Sequence, residues 1–456
     1  MLRGRARPAD AGESGVDKDA AGRRVAIGAV LAAGLLGEFA YALLLFPLLQ
    51  HYLVFDRRLG AGFPGYVLAV YGIARLATQM PLGGVADLLG RRLSVALGYS
   101  AVTLGGLLCW TPAAPVILSG AVLFGAGHAL ADPLLPAALA EGVSVQGRGK
   151  VIALLNLSQV AGLVAGLAGG AFLTDLAPAS VGFLTVTIAN GATLALLGVA
   201  ALPLLRPVRT SRGGRTALAW RALTDERAID LFVALFLIAL AMNLVMPNIN
   251  LYSVRRLHRE LHQLVPYLAP AAVVGVTALP FGGWLTDRAG RLPPLLIGSV
   301  LGTIGFAQLA LAHGPIQAAI GAALGAAGLA LTMPASNVAL LDVAGPEHRA
   351  LLLSGMMAVQ GLGQAVGPLF GGLLTQVAGP ALPFGAGAVA LWLVTPFTVL
   401  FASAPHDGGP GQLVPYTPLT RFISRRHIAR HERSSPADEA MARTAEPNER
   451  DGPHSR

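Results

Sequence analysis

The sequence predicts an all-α membrane protein built from two six-helix halves. Three observations predict it. Apolar blocks of 20 to 28 residues fill a chain that is 54% hydrophobic and only 12% charged. Charge is confined to the tails, one central stretch and short punctuating loops. A charged hairpin, GGVADLLGRR at 83–92, returns as GWLTDRAGR at 283–291. A soluble chain would carry roughly twice that share of charge. A block of ~20 apolar residues matches a ~30 Å hydrocarbon core. Backbone groups in lipid must be satisfied internally, so the blocks read as helices. They lack the alternation of a membrane β-barrel.

In chain order, a 1–24 tail of mixed charge precedes a first half at 25–205. Its spans are 25–50, 64–86, 93–112, 115–141, 151–174 and 179–205. The first block is too long for a signal-peptide core and reads as an uncleaved membrane helix. A basic central stretch, 206–227, leads to the second half at 228–402. Its spans are 228–254, 263–286, 293–313, 315–342, 351–377 and 380–402. The tail at 403–456 has the Pro, Ser, Arg and Glu content of a disordered segment.

Twelve spans put both termini on one side. Of the 33 Lys and Arg, 27 fall in terminus-side segments. Only Arg57, Arg58, Arg255, Arg256 and Arg259 fall on the other side, and Arg75 lies inside a span. Positive-inside bias then places both termini in the cytoplasm of a plasma or bacterial inner membrane. It also accounts for the net charge of +9 without a nucleic-acid partner. The single Cys109 excludes a disulfide framework and a cysteine metal cluster.

The duplication extends past the hairpin. At a shift of 201, Pro133 meets Pro334, Glu141 meets Asp342, Arg148 meets Arg349 and Gln159 meets Gln360. Gly162, Gly166 and Gly170 meet Gly363, Gly367 and Gly371. Parallel six-helix halves are one recognised transporter plan. On these residues the chain resembles the major facilitator superfamily over about 25–402. The hairpins (Gly83, Asp87, Gly90, Arg91, Arg92; Gly283, Asp287, Arg288, Gly290, Arg291) look like that family's loop motif. Leu88 departs from it, where Arg or Lys is common. GQAVGPLFGG at 363–372 looks like the family's Gly-rich fifth-helix motif, moved to the eleventh span. The resemblance implies a monomeric secondary transporter of small molecules, embedded in lipid, working by alternating access without a cofactor.

Such a protein needs a cytoplasmic closure stable by only a few kcal/mol, so that it can reopen. Ion pairs at wet helix ends suit that task. Two gate networks are expected: Asp87, Arg91, Glu141 and Arg148, and their echo Asp287, Arg291, Asp342 and Arg349. The plainer reading is that these charges only anchor helix ends.

Charge inside a membrane span is a functional-site hypothesis by default. Glu38, Arg75 and Asp132 lie at a common depth, and the resemblance puts spans 1 and 4 on the central cavity. Tyr41 shares a face with Glu38, and His128 with Asp132. Tyr71, Arg75 and Gln79 form a stripe on span 2. Asn243 and Asn250, Thr332 and Ser336, and Gln360 and Gln364 supply polar groups from spans 7, 10 and 11. A carboxyl poised between burial, which penalises its charge, and a neighbouring Arg, which favours it, can take up or release a proton. Glu38 or Asp132 is thus the candidate proton-coupling acid, Arg75 its counter-ion and His128 a relay. A static ion pair is the plainer alternative.

The span around Arg75 weakly resembles bacterial drug/proton antiporters, although Ala121 stands where that subgroup carries an Arg. Proton-coupled export of amphipathic compounds is the leading expectation. The alternatives are a symporter or uniporter for a sugar or organic anion, and a non-transporting membrane sensor. No GxSxG, HExxH or P-loop pattern stands in a suitable context, so an enzyme is not expected.

Overall fold

A computed structural model describes residues 10–143, 148–200, 226–343 and 349–403. They form twelve long helices. In the first half these are α1 (Asp10–Leu43, continuing through short segments to Asp56), α2 (Phe63–Leu89), α3 (Arg91–Leu108), α4 (Ala114–Ala131, continued as Leu134–Gly142), α5 (Arg148–Leu176) and α6 (Ala179–Ala195, continued to Ala200). In the second they are α7 (Glu226–Val245, continued through Met246–Asn248 and Ile249–Arg256), α8 (Leu261–Ala289), α9 (Leu292–Leu311), α10 (Pro315–Val343), α11 (Arg349–Ala378) and α12 (Leu382–Ser403). Nine of the described helical segments are long and apolar enough by themselves to cross a membrane. Large apolar side chains face outward on all sides, among them Ile188, Val273, Val377 and Trp392. In water such a surface would aggregate; in lipid it is solvated. The chain is an integral, multi-pass membrane protein.

Each packing pair of the first half has its counterpart in the second. The pairs α1–α5, α1–α6, α2–α4, α3–α4 and α3–α6 are matched by α7–α11, α7–α12, α8–α10, α9–α10 and α9–α12. The glycine stripes explain the first of these matches. A Cβ added at Gly162 or Gly166 of α5 would collide with the α1 backbone at Leu35 and Phe39. One added at Gly363 or Gly371 of α11 would meet Ala239 and Leu244 of α7 in the same way. Without side chains at these positions, two backbones pack closely, which is the main attraction between helices in lipid.

Finer correspondences recur at a spacing of 200. Pro47 sits in a π-helical turn of α1, and Pro247 in the 3-10 turn of α7. Proline removes a backbone donor, so each helix changes its hydrogen-bond register there. Arg58 and His258 both end their helix with positive φ, 52° and 53°. Gly90 and Gly290 turn both hairpins at φ 80° and 84°, where a side chain would be strained.

The two halves meet along α2–α11 and α5–α8 and through the ends of α1 and α7. These contacts gather at the end of the bundle away from the chain termini, the tail-distal end. Gln50 of α1 donates to Met246 O at 2.5 Å, and its Oε1 accepts from the Asn250 N–H at 3.2 Å. Asn250 Nδ2 donates to Pro47 O at 3.4 Å. Gln50 and Asn250 stand 200 residues apart, so a contact between them marks the pseudo-two-fold axis. On α2, a Cβ at Gly65 would come within 2.8 Å of Gly372 Cα, so the α2–α11 seam is backbone against backbone.

Candidate functional site

Pro133 divides α4 immediately after Asp132. Asp132 lies inside the apolar span of α4, one turn from His128. Arg75 Nη2 donates to Asp132 Oδ2 at 3.1 Å, joining α2 to α4. His128 Nδ1 lies 3.1 Å from Asp132 Oδ1. Arg75 Nη1 donates to the Tyr71 hydroxyl at 3.1 Å, using the i, i+4 spacing. The carboxylate is therefore clamped by two nitrogen donors. Tyr41, Tyr71 and Phe124 wall the His128 ring at centroid distances of 5.6, 6.2 and 4.8 Å.

Glu38 stands within electrostatic reach of Asp132, His128 and Arg75. Among the described residues no hydrogen bond reaches its carboxyl. Arg75 has thus chosen Asp132 over Glu38. Two carboxylates facing one guanidinium leave one negative charge uncompensated, and the group is electroneutral only when it holds one proton. His128 Nε2 is buried and without a partner among the described residues.

Arg75 also borders a cavity of about 180 Å³ between the halves. Gln79 lines it from α2, and Gln360 and Gln364 from α11. Four of the expected site residues from two halves therefore converge here. Others do not. Thr332 and Ser336 are buried, and their hydroxyls donate to carbonyls of their own helix, Gly328 and Thr332. They serve the packing of α10 instead of facing a cleft. Asn243 likewise donates to Ala239 O at 2.8 Å within α7. Asn250 belongs to the tail-distal closure.

At the gate positions Gly83, Asp87, Arg91, Glu141, Arg148, Asp342 and Arg349 only the helical backbone is described, and their side chains lie outside the described part of the structure. In the second hairpin Asp287 and Arg288 are exposed, Arg288 stacks over Trp284 at 5.4 Å, and Arg291 donates to Thr286 O at 3.3 Å. The close approach there is made by Gly282, where a Cβ would lie 2.7 Å from Ala330 O. Gly283 faces open space.

One cluster escaped sequence reasoning. At the tail-distal end the Asp175 carboxylate of α5 accepts from the His262 backbone N–H at 2.9 Å and meets its Nδ1 at 3.0 Å, joining the halves. His51 and Glu260 stand beside it. These residues come from distant segments, and no local pattern connects them.

A duplicated twelve-helix bundle with an Arg–Asp–His cluster and a polar cavity among its apolar spans defines the class: a multi-pass membrane protein built like a transporter. The sequence profile of the Major Facilitator Superfamily matches residues 30–318 and 272–432. The chain belongs to that superfamily. It is 28% identical over 141 residues to the multidrug resistance protein MdtH of Enterobacter sp. (strain 638), covering 29% of this chain and 35% of that protein. It is 26% identical over 167 residues to the quinolone resistance protein NorA of Staphylococcus aureus (strain MRSA252), covering 37% and 43%. The matches thus span less than half the length of these relatives. Among solved structures, a POT family transporter in complex with 5-aminolevulinic acid superposes with a TM-score of 0.67 at 13% identity, over 82% of this chain and 95% of that one. An inward-facing bacterial homologue of the human lysosomal transporter Spinster superposes at 0.64 with 15% identity, over 82% and 96%. These structural likenesses speak to the fold.

Proposed function

We propose that the chain is a secondary transporter that exports amphipathic small molecules in exchange for protons by alternating access. The observation that carries this reading is the Arg75–Asp132–His128 cluster, with Glu38 facing it and the inter-half cavity beside it. In this reading Asp132 stays paired with Arg75, and Glu38 is the group that gains and loses a proton. The multidrug and quinolone resistance relatives support drug-like compounds as the substrate class.

With the tails in the cytoplasm, the closed tail-distal end is the outer one. A cavity of about 180 Å³ is smaller than the ~300–1,000 Å³ pockets that hold drug-sized ligands. An amphipathic substrate therefore enters as the cytoplasmic ends of the halves part. One feature favours a second reading. A guanidinium among three glutamines suits a small carboxylate, which would make the protein a carrier of organic anions.

Purified protein in liposomes with a pH-sensitive dye inside separates these readings. Under an imposed proton gradient, cationic amphipathic compounds are expected to drive proton flux opposite to their own movement. Flux in the same direction, elicited by organic acids alone, would replace export by symport. Compound uptake without proton flux would exclude proton coupling.

A further inference from the structure

The cluster at the tail-distal end, remote from the Arg75–Asp132 pair, has the composition and spacing of a metal site. His262 Nδ1 lies 3.0 Å from Asp175 Oδ2 and 3.5 Å from Glu260 Oε2. The ligand atoms of these three residues all lie within 4.8 Å of one another. A tetrahedral Zn²⁺ with bonds of ~2.0–2.1 Å sets neighbouring ligand atoms about 3.3 Å apart. The two measured separations bracket that value.

The surroundings fit as well. The Asp175 side chain is 4% exposed. It is fixed by the His262 backbone N–H at 2.9 Å, a contact of the kind that orients metal ligands. His51 Nδ1 is 4.0 Å from Asp175 Oδ1, buried, and without a hydrogen-bond partner among the described residues. A cavity of about 230 Å³ is bordered by Thr174 and Ala177, which lie on either side of Asp175 in the chain.

The geometry points to a regulatory site for a divalent transition metal of the Zn²⁺ class, bound by Asp175, Glu260 and His262 with water in the fourth position. Two carboxylates balance the charge of a dication, and the His262 imidazole adds a nitrogen ligand. Mixed imidazole and carboxylate ligands suit Zn²⁺ and its neighbours, whereas Ca²⁺ and Mg²⁺ take oxygen shells. Binding displaces any proton shared between His262 Nδ1 and Asp175. Asp175 belongs to the first half, Glu260 and His262 to the second. The ion therefore staples the halves at their closed end. It binds that conformation in preference to the open one and holds the population there. This regulatory consequence rests on the alternating movement proposed above, but metal affinity itself does not.

The test uses the full chain, purified without a polyhistidine tag. The tail histidines His406, His427, His431 and His454 are replaced by Ala so that they take up no metal. Zn²⁺, Ca²⁺ and Mg²⁺ are titrated calorimetrically near neutral pH. The expected result is one Zn²⁺ per chain, no comparable Ca²⁺ or Mg²⁺ binding, and an affinity at least about tenfold weaker in His262→Gln and in Glu260→Gln. Glu260 is 58% exposed, so its substitution leaves folding intact. Absence of Zn²⁺ binding, or equal affinity in both variants, would overturn the site. That failure would leave the transport reading standing, because the proton-flux assay contains no metal.

Discussion

Asp132 holds Arg75 and His128 at once, and this double role sets what its removal does. Asp132→Asn leaves the guanidinium without its charge partner. Breaking a fully buried pair costs about 3–5 kcal/mol. Here Arg75 and Asp132 are 29% and 27% exposed, so the loss is smaller. Thermal unfolding in detergent should show Asp132→Asn destabilised, and Arg75→Gln added to it should restore part of the loss. No restoration would contradict the pairing. The charged residues at this depth were legible in the sequence because charge is so rare inside apolar spans. Which acid takes Arg75 was not, since depth along a helix says nothing about facing across it. Thr332 and Ser336 show the same limit: a hydroxyl can turn back to the carbonyl one turn earlier. The cluster is also confined to one half. The repeat places Ile238, Gly275, Leu329 and Met333 where the first half carries Glu38, Arg75, His128 and Asp132.

At the scale of elements, the duplicated features are the ones that build the bundle. Gly162 and Gly371 let α5 and α11 lie against α1 and α7. Gly162→Leu or Gly371→Leu should sharply reduce the folded yield, because overpacking costs about 1–3 kcal/mol or more. Gly191→Leu, at a position with open space around it, should leave yield unchanged. Comparable yields for all three would refute the packing role. The hairpins are proposed to latch the cytoplasmic ends. Asp87→Asn and Arg91→Ala should lower turnover at least about tenfold, the scale of about 1.4 kcal/mol, with membrane insertion unchanged. Normal turnover in both would remove the gate. The stripes were visible in the sequence because glycine repeats at a fixed shift. The equivalence of Pro47 with Pro247 and of Arg58 with His258 emerges only from backbone conformation, since flanking residues differ.

At the scale of the whole molecule, the two halves are closed at one end by the α2–α11 and α5–α8 seams and by a few polar contacts. Gln50→Leu removes the bonds to Met246 O and to the Asn250 N–H. Each such bond is worth about 1 kcal/mol, or about fivefold in population. Spin labels on the ends of α1 and α7 should then report a larger share of molecules open at that end, and an unchanged distance distribution would show that these bonds do not hold the closure. The closure could not be read from the sequence, because Gln50, Asn250, Asp175 and His262 are ordinary polar residues near helix ends until the halves are assembled.

The central claim is that Glu38 carries the proton while Asp132 stays with Arg75. The most direct measurement is proton flux and substrate exchange in liposomes, for wild type and Glu38→Gln side by side. The expected result is loss of substrate-driven proton flux in the variant with exchange of substrate for substrate retained, because exchange needs no proton. Undiminished proton flux in Glu38→Gln, with the same dependence on pH as wild type, would contradict it.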